Sequence, residues 1–182
     1  MKNNLENSYK KKLNHITTFI FDIDGVLTDG KVYITNDKNL MRVMHTKDGF
    51  AIKTALKKGY NVAILSGAQD ENVIRRLKYL KIKDIFIKIE NKLPVLEQYL
   101  KDKGLKAEEV LYMGDDIPDL PVLQRVGLSA APKDAVQEVL ETADYISHKN
   151  GGETCVRDVI EQVLRVQGNW TFDLLKNETA AN

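Results

Sequence analysis

The chain has a single cysteine, Cys155, among its 182 residues. An internal disulfide is therefore impossible, and a zinc or redox site that needs two cysteines is excluded as well. The sequence also lacks any apolar run near the roughly 18 residues that a membrane-spanning helix needs. Its N-terminus carries positive charge with no apolar stretch behind it, unlike a signal peptide. These absences predict a protein of the reducing cytoplasm with no membrane partner.

An excess of charge of one sign is also missing. The 27 Lys and Arg residues against 26 Asp and Glu residues give a formal net charge of +1. Such a balance gives no general attraction to polyanions, so a nucleic-acid partner is not expected. The hydrophobic fraction of 43% is typical of a globular protein, and the length predicts one domain.

Polar segments flank the predicted domain at both ends. Residues 1–15 are rich in Asn and Lys with few apolar anchors, and we expect them to form a flexible leader. Residues 16–166 carry the alternating pattern described below and form the predicted domain. Residues 167–182 form a C-terminal tail, in which Trp170 and Phe172 are candidate apolar anchors.

Short β-rich runs alternate with segments of helical period. The runs are TTFIF (17–21), YNVAILS (60–66), DIFI (84–87), VLYM (110–113) and GLSA (127–130). Between them, apolar residues recur at three- and four-residue steps, as in Val73, Leu77 and Leu80. This alternation predicts an α/β fold with a Rossmann-like, doubly wound parallel sheet. Residues 32–45 interrupt it with a turn signal at 36–39, which predicts an inserted β-hairpin.

Two carboxylates follow the first run at a spacing that suits phosphoryl transfer. The run ends in Asp22-Ile23-Asp24-Gly25, and side chains two residues apart on an extended segment point the same way, roughly 6 to 7 Å apart. One carboxylate can attack phosphorus while the other protonates the leaving oxygen and then deprotonates water. We therefore expect Asp22 to be the nucleophile and Asp24 the general acid and base.

Further polar residues follow the other runs, and in a doubly wound sheet such positions share the edge where ligands bind. Asp115 and Asp119 follow the fourth run and offer the oxygen ligands that Mg²⁺ takes, so Asp115 is expected to hold the metal together with Asp22. Lys92 begins a predicted helix, where its ammonium and the helix N-terminus can face a phosphoryl group. Ser66-Gly67 can donate hydrogen bonds to the same group.

Together these segments resemble the four motifs of the haloacid dehalogenase superfamily of phosphatases. They are residues 22–30 (DIDGVLTDG), Ser66-Gly67, Lys92 and Gly114-Asp115-Asp116. The resemblance implies an aspartyl phosphate on Asp22, proton transfer by Asp24, catalytic assistance from Ser66 and Lys92, and Mg²⁺ held by Asp22, Asp115 and the backbone carbonyl of Asp24. The gaps between the motifs leave no room for the cap domain that many members carry.

The short, uncapped form is similar to the members of the superfamily that act on a phosphorylated sugar acid. Lys47-Asp48-Gly49 and Gly151-Gly152 carry this part of the resemblance. It implies hydrolysis of 3-deoxy-D-manno-octulosonate 8-phosphate, a step in making a lipopolysaccharide sugar, by a homotetramer whose hairpins meet. The implied substrate contacts are Asp24, His45, Thr46, Lys47, Asp48, Gly49, Lys53, Gly67, Arg76 and Lys92.

Two departures from the family pattern leave other substrates open. Ala68 stands where relatives often carry Arg, and Lys47 stands where Arg is frequent, so two planar guanidinium grips are missing. The nearest alternative is a phosphatase for a nine-carbon, sialic-type sugar acid 9-phosphate. A catalytically inactive binding scaffold would predict a damaged motif, yet all four motifs are intact. A mutase would need an acceptor enclosed by a cap.

Overall fold

The structure, a computed structural model, describes residues 9–34 and 40–172 of the chain. Its centre is a six-stranded parallel sheet in the order β5-β4-β1-β6-β7-β8. The strands of this sheet are β1 (Thr18–Phe21), β4 (Asn61–Leu65), β5 (Asp84–Phe86), β6 (Val110–Met113), β7 (Leu128–Ala131) and β8 (Tyr145–Ile146). A separate antiparallel ribbon joins β2 (Tyr33–Ile34) to β3 (Leu40–Met41).

Helices cover both faces of the sheet. They are α1 (Tyr9–Lys12), α2 (Thr46–Lys57), α3 (Glu71–Tyr79), α4 (Lys92–Lys103), α5 (Leu120–Leu123), α6 (Gln137–Thr142) and α7 (Cys155–Val166). Buried side chains of α2, α3 and α7 form one core with one face of the sheet, and those of α4, α5 and α6 form a second core with the other. In the described part of the chain, no helix has the length and apolar character to cross a membrane.

The central position of β1 explains its uninterrupted apolar sequence. Phe19 and Phe21 face the core under α2 and α7, whereas Ile20 faces the core under α4, and all three are fully buried. A parallel strand buried on both faces has no polar side, so it reads as a continuous apolar run. Phe21 lies opposite Ile64 of β4 and Met113 of β6. The residues that follow these three strands therefore meet at one edge of the sheet.

The predicted fold class is confirmed, including the parallel sheet and the lack of a cap domain. Four of the five predicted runs contain a strand of the sheet, the fifth (127–130) ends one residue before β7 does, and the arms of the predicted hairpin contain β2 and β3. The predicted turn at 36–39 lies outside the described residues. The short elements α5, α6 and β8 were not predicted, because two to six residues carry too little periodicity to distinguish them from a loop.

The segments next to the predicted domain also pack on it where the structure describes them. Residues 9–15, assigned above to a flexible leader, form α1 and a 3₁₀ turn whose Leu13 is buried. The side-chain amide of Gln167 donates hydrogen bonds to the carbonyls of Leu13 and Ile16 at 2.7 and 2.8 Å. In the tail, the ring of Trp170 packs edge-on against Phe50, with 6.2 Å between centroids. Residues 1–8 and 173–182 lie outside the described part.

Asp48 ties α2 to α7 through a buried carboxylate. The residue lies in the first turn of α2, is 1% exposed, and its Oδ1 accepts the backbone N–H of Arg157 at 2.7 Å. Its Oδ2 is buried and has no hydrogen-bond partner among the described residues. Burial raises the pKa of Asp48 from 3.8 to about 6, although the Arg157 N–H favours the charged form. The ionised side chain therefore costs the fold free energy at neutral pH.

We predict that Asp48→Asn makes the protein more stable at pH 7.5 but not at pH 4. A carboxyl group with a raised folded-state pKa contributes its stability fully below pH 3.8 and loses it as pH rises through about 6. The amide mimics the protonated acid, so the free energy of unfolding should exceed that of the parent by up to about 3 kcal/mol at pH 7.5. Urea unfolding at the two pH values measures this difference. The exposed Asp102→Asn is the matched control, and an equal effect of Asp48→Asn at both pH values would contradict the prediction.

Candidate active site

Asp22 and Asp24 lie in the loop that leaves the carboxyl end of β1. The backbone N–H of Asp22 still bonds to the carbonyl of Met113 at 3.1 Å, which fixes Asp22 to the sheet. Three residues after Asp22, the chain reverses at Gly25, which has a φ of +81°. A Cβ atom on Gly25 would lie 1.9 Å from Oδ2 of Asp115. Only glycine therefore lets this loop lie against the loop after β6.

Lys92 is the cation at the centre of the site. It is the first residue of α4, is 5% exposed, and its Nζ lies 3.0 Å from Oδ2 of Asp22 and 2.6 Å from Oδ1 of Asp119. Burial lowers the pKa of Lys92, but the two carboxylates outweigh this effect and the pKa is raised. Burial also raises the pKa of Asp22, against the opposing charge of Lys92. The pair holds the Asp22 carboxylate in one orientation.

Asp119 organises the loop after β6. The sequence did not indicate this structural role. Its Oδ1 accepts hydrogen bonds from Lys92 and from the hydroxyl of the fully buried Tyr112. Its Oδ2 accepts the backbone N–H groups of Asp115 at 2.9 Å and Asp116 at 3.2 Å. Both oxygens are therefore occupied by the protein. Tyr112 gave no signal in the sequence, because within the run VLYM it reads as a core residue.

Three carboxylates at this edge offer oxygens within 4.8 Å of one another: those of Asp22, Asp115 and Asp119. Oδ1 of Asp22 and Oδ1 of Asp115 are buried and have no hydrogen-bond partner among the described residues. Burial, together with the charges of Asp22 and Asp119, raises the pKa of Asp115 to about 8. A divalent cation would satisfy both unpartnered oxygens and remove the repulsion that raises this pKa. The residues present therefore fit a metal, which Asp22 and Asp115 would hold through these two oxygens.

All four predicted motif segments line one cavity of about 380 Å³. The predicted site residues in its wall are Asp22, Asp24, Ser66, Gly67, Lys92 and Asp115. They come from the ends of β1, β4 and β6 and from the start of α4, the edge at which ligands bind in this class of sheet. The structure thus brings together the predicted nucleophile, general acid, cation and metal ligands.

Asp24 has a partner that the sequence analysis missed. Arg42, just after β3, donates from Nε to Oδ1 of Asp24 at 2.7 Å and from Nη2 to Oδ2 at 2.9 Å. Its Nη1 donates to Oδ2 of Asp70 at 3.0 Å. A charged residue on a short ribbon reads as a solvated surface group, so no feature of the sequence singled out Arg42.

The predicted substrate residues of α2 lie elsewhere in the single chain. His45 caps the helix, its Nδ1 accepting the backbone N–H of Lys47 at 3.1 Å. Thr46 and Lys47 line a more open cavity of about 470 Å³ beside the rings of Phe50, Trp170 and Phe172. This cavity is the larger of the two, but the described residues that line it include no carboxylate to act as a nucleophile.

The remaining predicted contacts lie under or beside α2. Asp48 is buried against α7, as described above, and Gly49 packs close to Arg76, whose Nη2 would lie 3.0 Å from a Cβ atom at that position. The Nζ of Lys53 lies over the ring of Tyr79, 4.2 Å from its centroid. Within the described part of one chain, none of these residues lines the cavity that contains Asp22.

Comparisons with known proteins agree with this arrangement. Residues 83–160 match the family model described as haloacid dehalogenase-like hydrolase. The chain is 36% identical over 157 residues to the 3-deoxy-D-manno-octulosonate 8-phosphate phosphatase KdsC of Salmonella typhi, covering 86% of this chain and 84% of that protein. It is 33% identical to the phosphatase of the same name from Haemophilus influenzae, over 87% of this chain and 88% of the relative.

Solved structures show the same fold. The 3-deoxy-D-manno-octulosonate 8-phosphate phosphatase of Moraxella catarrhalis, in complex with a magnesium ion, a phosphate ion and a KDO molecule, superposes with a TM-score of 0.87 at 31% identity, covering 90% of this chain and 94% of that one. The enzyme of the same name from Yersinia pestis also gives 0.87, at 30% identity and over 90% and 88% of the two chains. The chain therefore belongs to the haloacid dehalogenase-like hydrolases and, among them, to the family of the 3-deoxy-D-manno-octulosonate 8-phosphate phosphatases.

Proposed function

We propose that this protein hydrolyses 3-deoxy-D-manno-octulosonate 8-phosphate to the free sugar acid and inorganic phosphate, with Mg²⁺ as its cofactor. The observation that carries the proposal is the convergence of Asp22, Asp24, Lys92 and Asp115 on one cavity. Relatives at 36% identity carry the name of this activity, and one similar structure contains magnesium, phosphate and the sugar acid. The same convergence argues against an inactive binding scaffold.

In the first step, a carboxylate oxygen of Asp22 forms a bond to phosphorus. The bond between phosphorus and the sugar oxygen breaks, and Asp24 gives its proton to that oxygen, so the free sugar acid leaves as a neutral alcohol at this position. Lys92 holds Oδ2 of Asp22 at 3.0 Å and so limits the rotation of the attacking group.

In the second step, a water molecule attacks the phosphorus of the aspartyl phosphate. Asp24, now ionised, takes a proton from this water, the bond between phosphorus and Asp22 breaks, and inorganic phosphate leaves. Asp22 is then a carboxylate again and Asp24 carries a proton, so the site is ready for another substrate. Splitting the displacement in two lets one carboxylate act as both acid and base.

Electrostatic repulsion makes a cofactor necessary. A phosphate dianion enters a cavity that already contains the carboxylates of Asp22 and Asp115, and Lys92 is also engaged by Asp119. When bound, Mg²⁺ supplies the positive charge that neutralises the phosphoryl oxygens. We propose that Asp22, Asp115 and the backbone carbonyl of Asp24 hold it.

We further propose that substrate specificity is completed by a neighbouring copy in a homotetramer. Six apolar side chains of the ribbon and the residues next to it are exposed: Val32, Tyr33, Ile34, Leu40, Met41 and Val43. Ile34 is 84% exposed, and a row of such residues indicates an interaction surface. The predicted contacts His45, Thr46, Lys47, Lys53 and Arg76 would then serve a site shared between copies, whereas Asp48 and Gly49 of α2 are buried. The single buried cysteine fits the reducing cytoplasm that we propose as the location.

The substrate assignment is tested by phosphate release from a panel of esters. We expect kcat/KM for 3-deoxy-D-manno-octulosonate 8-phosphate to exceed that for a nine-carbon sugar acid 9-phosphate. Asp22→Ala and Asp22→Asn should lower kcat by about 10⁴-fold or more, because no other carboxylate can take the place of the nucleophile. Asp102→Asn serves as the control for an exposed carboxylate. Faster release from the nine-carbon ester would replace the proposed substrate, and turnover by Asp22→Ala at the parental rate would remove the proposed nucleophile.

Metal binding is tested by chelation and by thermal unfolding. A chelator should abolish phosphate release, and added Mg²⁺ should restore it. Mg²⁺ should also raise the Tm of the parent, by about 2 to 4 °C for each kcal/mol of binding free energy. Asp115→Asn removes a ligand charge and should lose most of this rise, whereas Asp102→Asn should keep it. The same Tm increase in Asp115→Asn and in the parent would contradict the assigned ligands.

The proposed assembly is tested by light scattering after size-exclusion chromatography. We expect a particle of four times the chain mass of 20.6 kDa. Ile34→Asp places a charge in the exposed apolar row and should shift the particle to smaller species. Val166→Asp alters an exposed apolar residue at the end of α7 and should leave the mass unchanged. A parent protein that elutes as a single chain would refute the tetramer.

A further inference from the structure

Arg42 lies between Asp24, the proposed general acid and base, and the N-terminus of α3. Its guanidinium donates two parallel hydrogen bonds to Asp24, at 2.7 and 2.9 Å, and a third to Asp70 at 3.0 Å. We propose that Arg42 is a positioning residue that holds Asp24 in the orientation needed for proton transfer to the leaving oxygen. The inference rests on the proposed phosphatase function and adds a residue to its machinery.

The contacts of Arg42 exclude a role as a free surface charge. Its side chain is only 7% exposed, and Nε, Nη1 and Nη2 each donate to a carboxylate. A side-on, bidentate pair with a carboxylate fixes both planes relative to each other, which a point charge cannot do. Because these donors are already bonded to Asp24 and Asp70, the guanidinium is poorly placed to bind an incoming anion. Its effect on the reaction therefore passes through Asp24.

Asp70 anchors Arg42 to the frame of the sheet. Oδ1 of Asp70 caps α3 by accepting the backbone N–H groups of Asn72 at 2.8 Å and Val73 at 3.3 Å, and Oδ2 accepts Arg42. The Asp70 side chain is also almost fully buried. Arg42, which directly follows the short ribbon, is thus held at the N-terminus of α3, and this contact fixes the orientation that it gives to Asp24.

The hydrogen bonds around Asp24 also identify the oxygen that can carry the proton. Among the described residues, Oδ1 accepts from both the Thr28 hydroxyl at 3.2 Å and Nε of Arg42, whereas Oδ2 accepts only from Nη2 of Arg42. When Oδ2 carries the proton, Oδ1 is still held by Nε of Arg42. Asp24 can therefore alternate between acid and base at Oδ2 without losing its orientation.

The proposal is tested by the dependence of kcat/KM on the leaving group. This constant reports the steps up to cleavage of the ester bond, and the need for an acid grows as the leaving oxygen becomes more basic. We would measure a series of aryl phosphates from p-nitrophenyl to phenyl, and the sugar-acid ester. Arg42→Ala should lower kcat/KM by about 100-fold for the most basic leaving groups and by less than about 5-fold for p-nitrophenyl phosphate. A plot of log kcat/KM against leaving-group pKa should therefore steepen.

Matched variants separate positioning from folding. Arg42→Lys keeps the charge without the planar fork and should give an intermediate slope, and Asp70→Asn should steepen the slope less than Arg42→Ala does. Arg75→Ala removes an exposed cation of α3, the helix that Asp70 caps, and should leave the slope unchanged. Thermal unfolding verifies that each variant is folded, and Arg42→Lys replaces Arg42→Ala if the latter is not.

The outcomes distinguish the inference from the function it rests on. A parental slope in Arg42→Ala and Arg42→Lys, with equal losses for every ester, would overturn the positioning role and leave the phosphatase assignment intact. A parent protein that releases phosphate from no ester in the presence of Mg²⁺ would overturn the proposed function and the inference together. Steepening confined to the Arg42 and Asp70 variants supports both.

Discussion

The active site contains more negative than positive charge, and its need for a cation follows from this excess. Three carboxylates, those of Asp22, Asp115 and Asp119, lie within a few ångströms of one another at the edge of the sheet, and one ammonium, that of Lys92, lies among them. Lys92 contacts two of the three, so its charge cannot neutralise the cluster. Burial, together with this imbalance, raises the pKa of Asp115, and one oxygen each of Asp22 and Asp115 has no hydrogen-bond partner among the described residues. A second cation is the missing charge that the arrangement accommodates.

The fold produces this cluster because the strand ends coincide. Parallel strands place their following residues at one edge, and helix α4 begins there with its positive N-terminal end. Close packing of the loops then requires glycine. A Cβ atom on Gly151 would lie 2.0 Å from the carbonyl oxygen of Gly25, so the loop before α7 can close against the loop after β1 only without a side chain at this position. The glycine pair near the end of the sequence thus belongs to the same edge.

Features of the molecule could be predicted from its sequence when the interacting residues lie close together along the chain. Strand runs and the residues directly after them are local features, so Asp22, Lys92 and Asp115 could be placed together before the structure was known. Asp48 could not, because its burial depends on α7, more than 100 residues away. Arg42 was missed for a similar reason. Its contacts with Asp24 and Asp70 depend on how the two-stranded ribbon packs, and the sequence carries no periodic signal for that.

The spacing of Asp22 and Asp24 made them candidates for a pair, but their environments distinguish their proposed roles. Asp22 is almost fully buried, fixed by Lys92, and has one oxygen with no hydrogen-bond partner among the described residues. Asp24 has a side chain that is 34% exposed and three donors around its two oxygens. A nucleophile beside a metal site needs an environment poor in hydrogen-bond donors, whereas a proton shuttle must hold its plane steady while a proton comes and goes. Each environment suits one of these tasks. If the roles were exchanged, Asp24, which Arg42 holds in place, would have to attack phosphorus. The buried Asp22 would have to exchange protons with water.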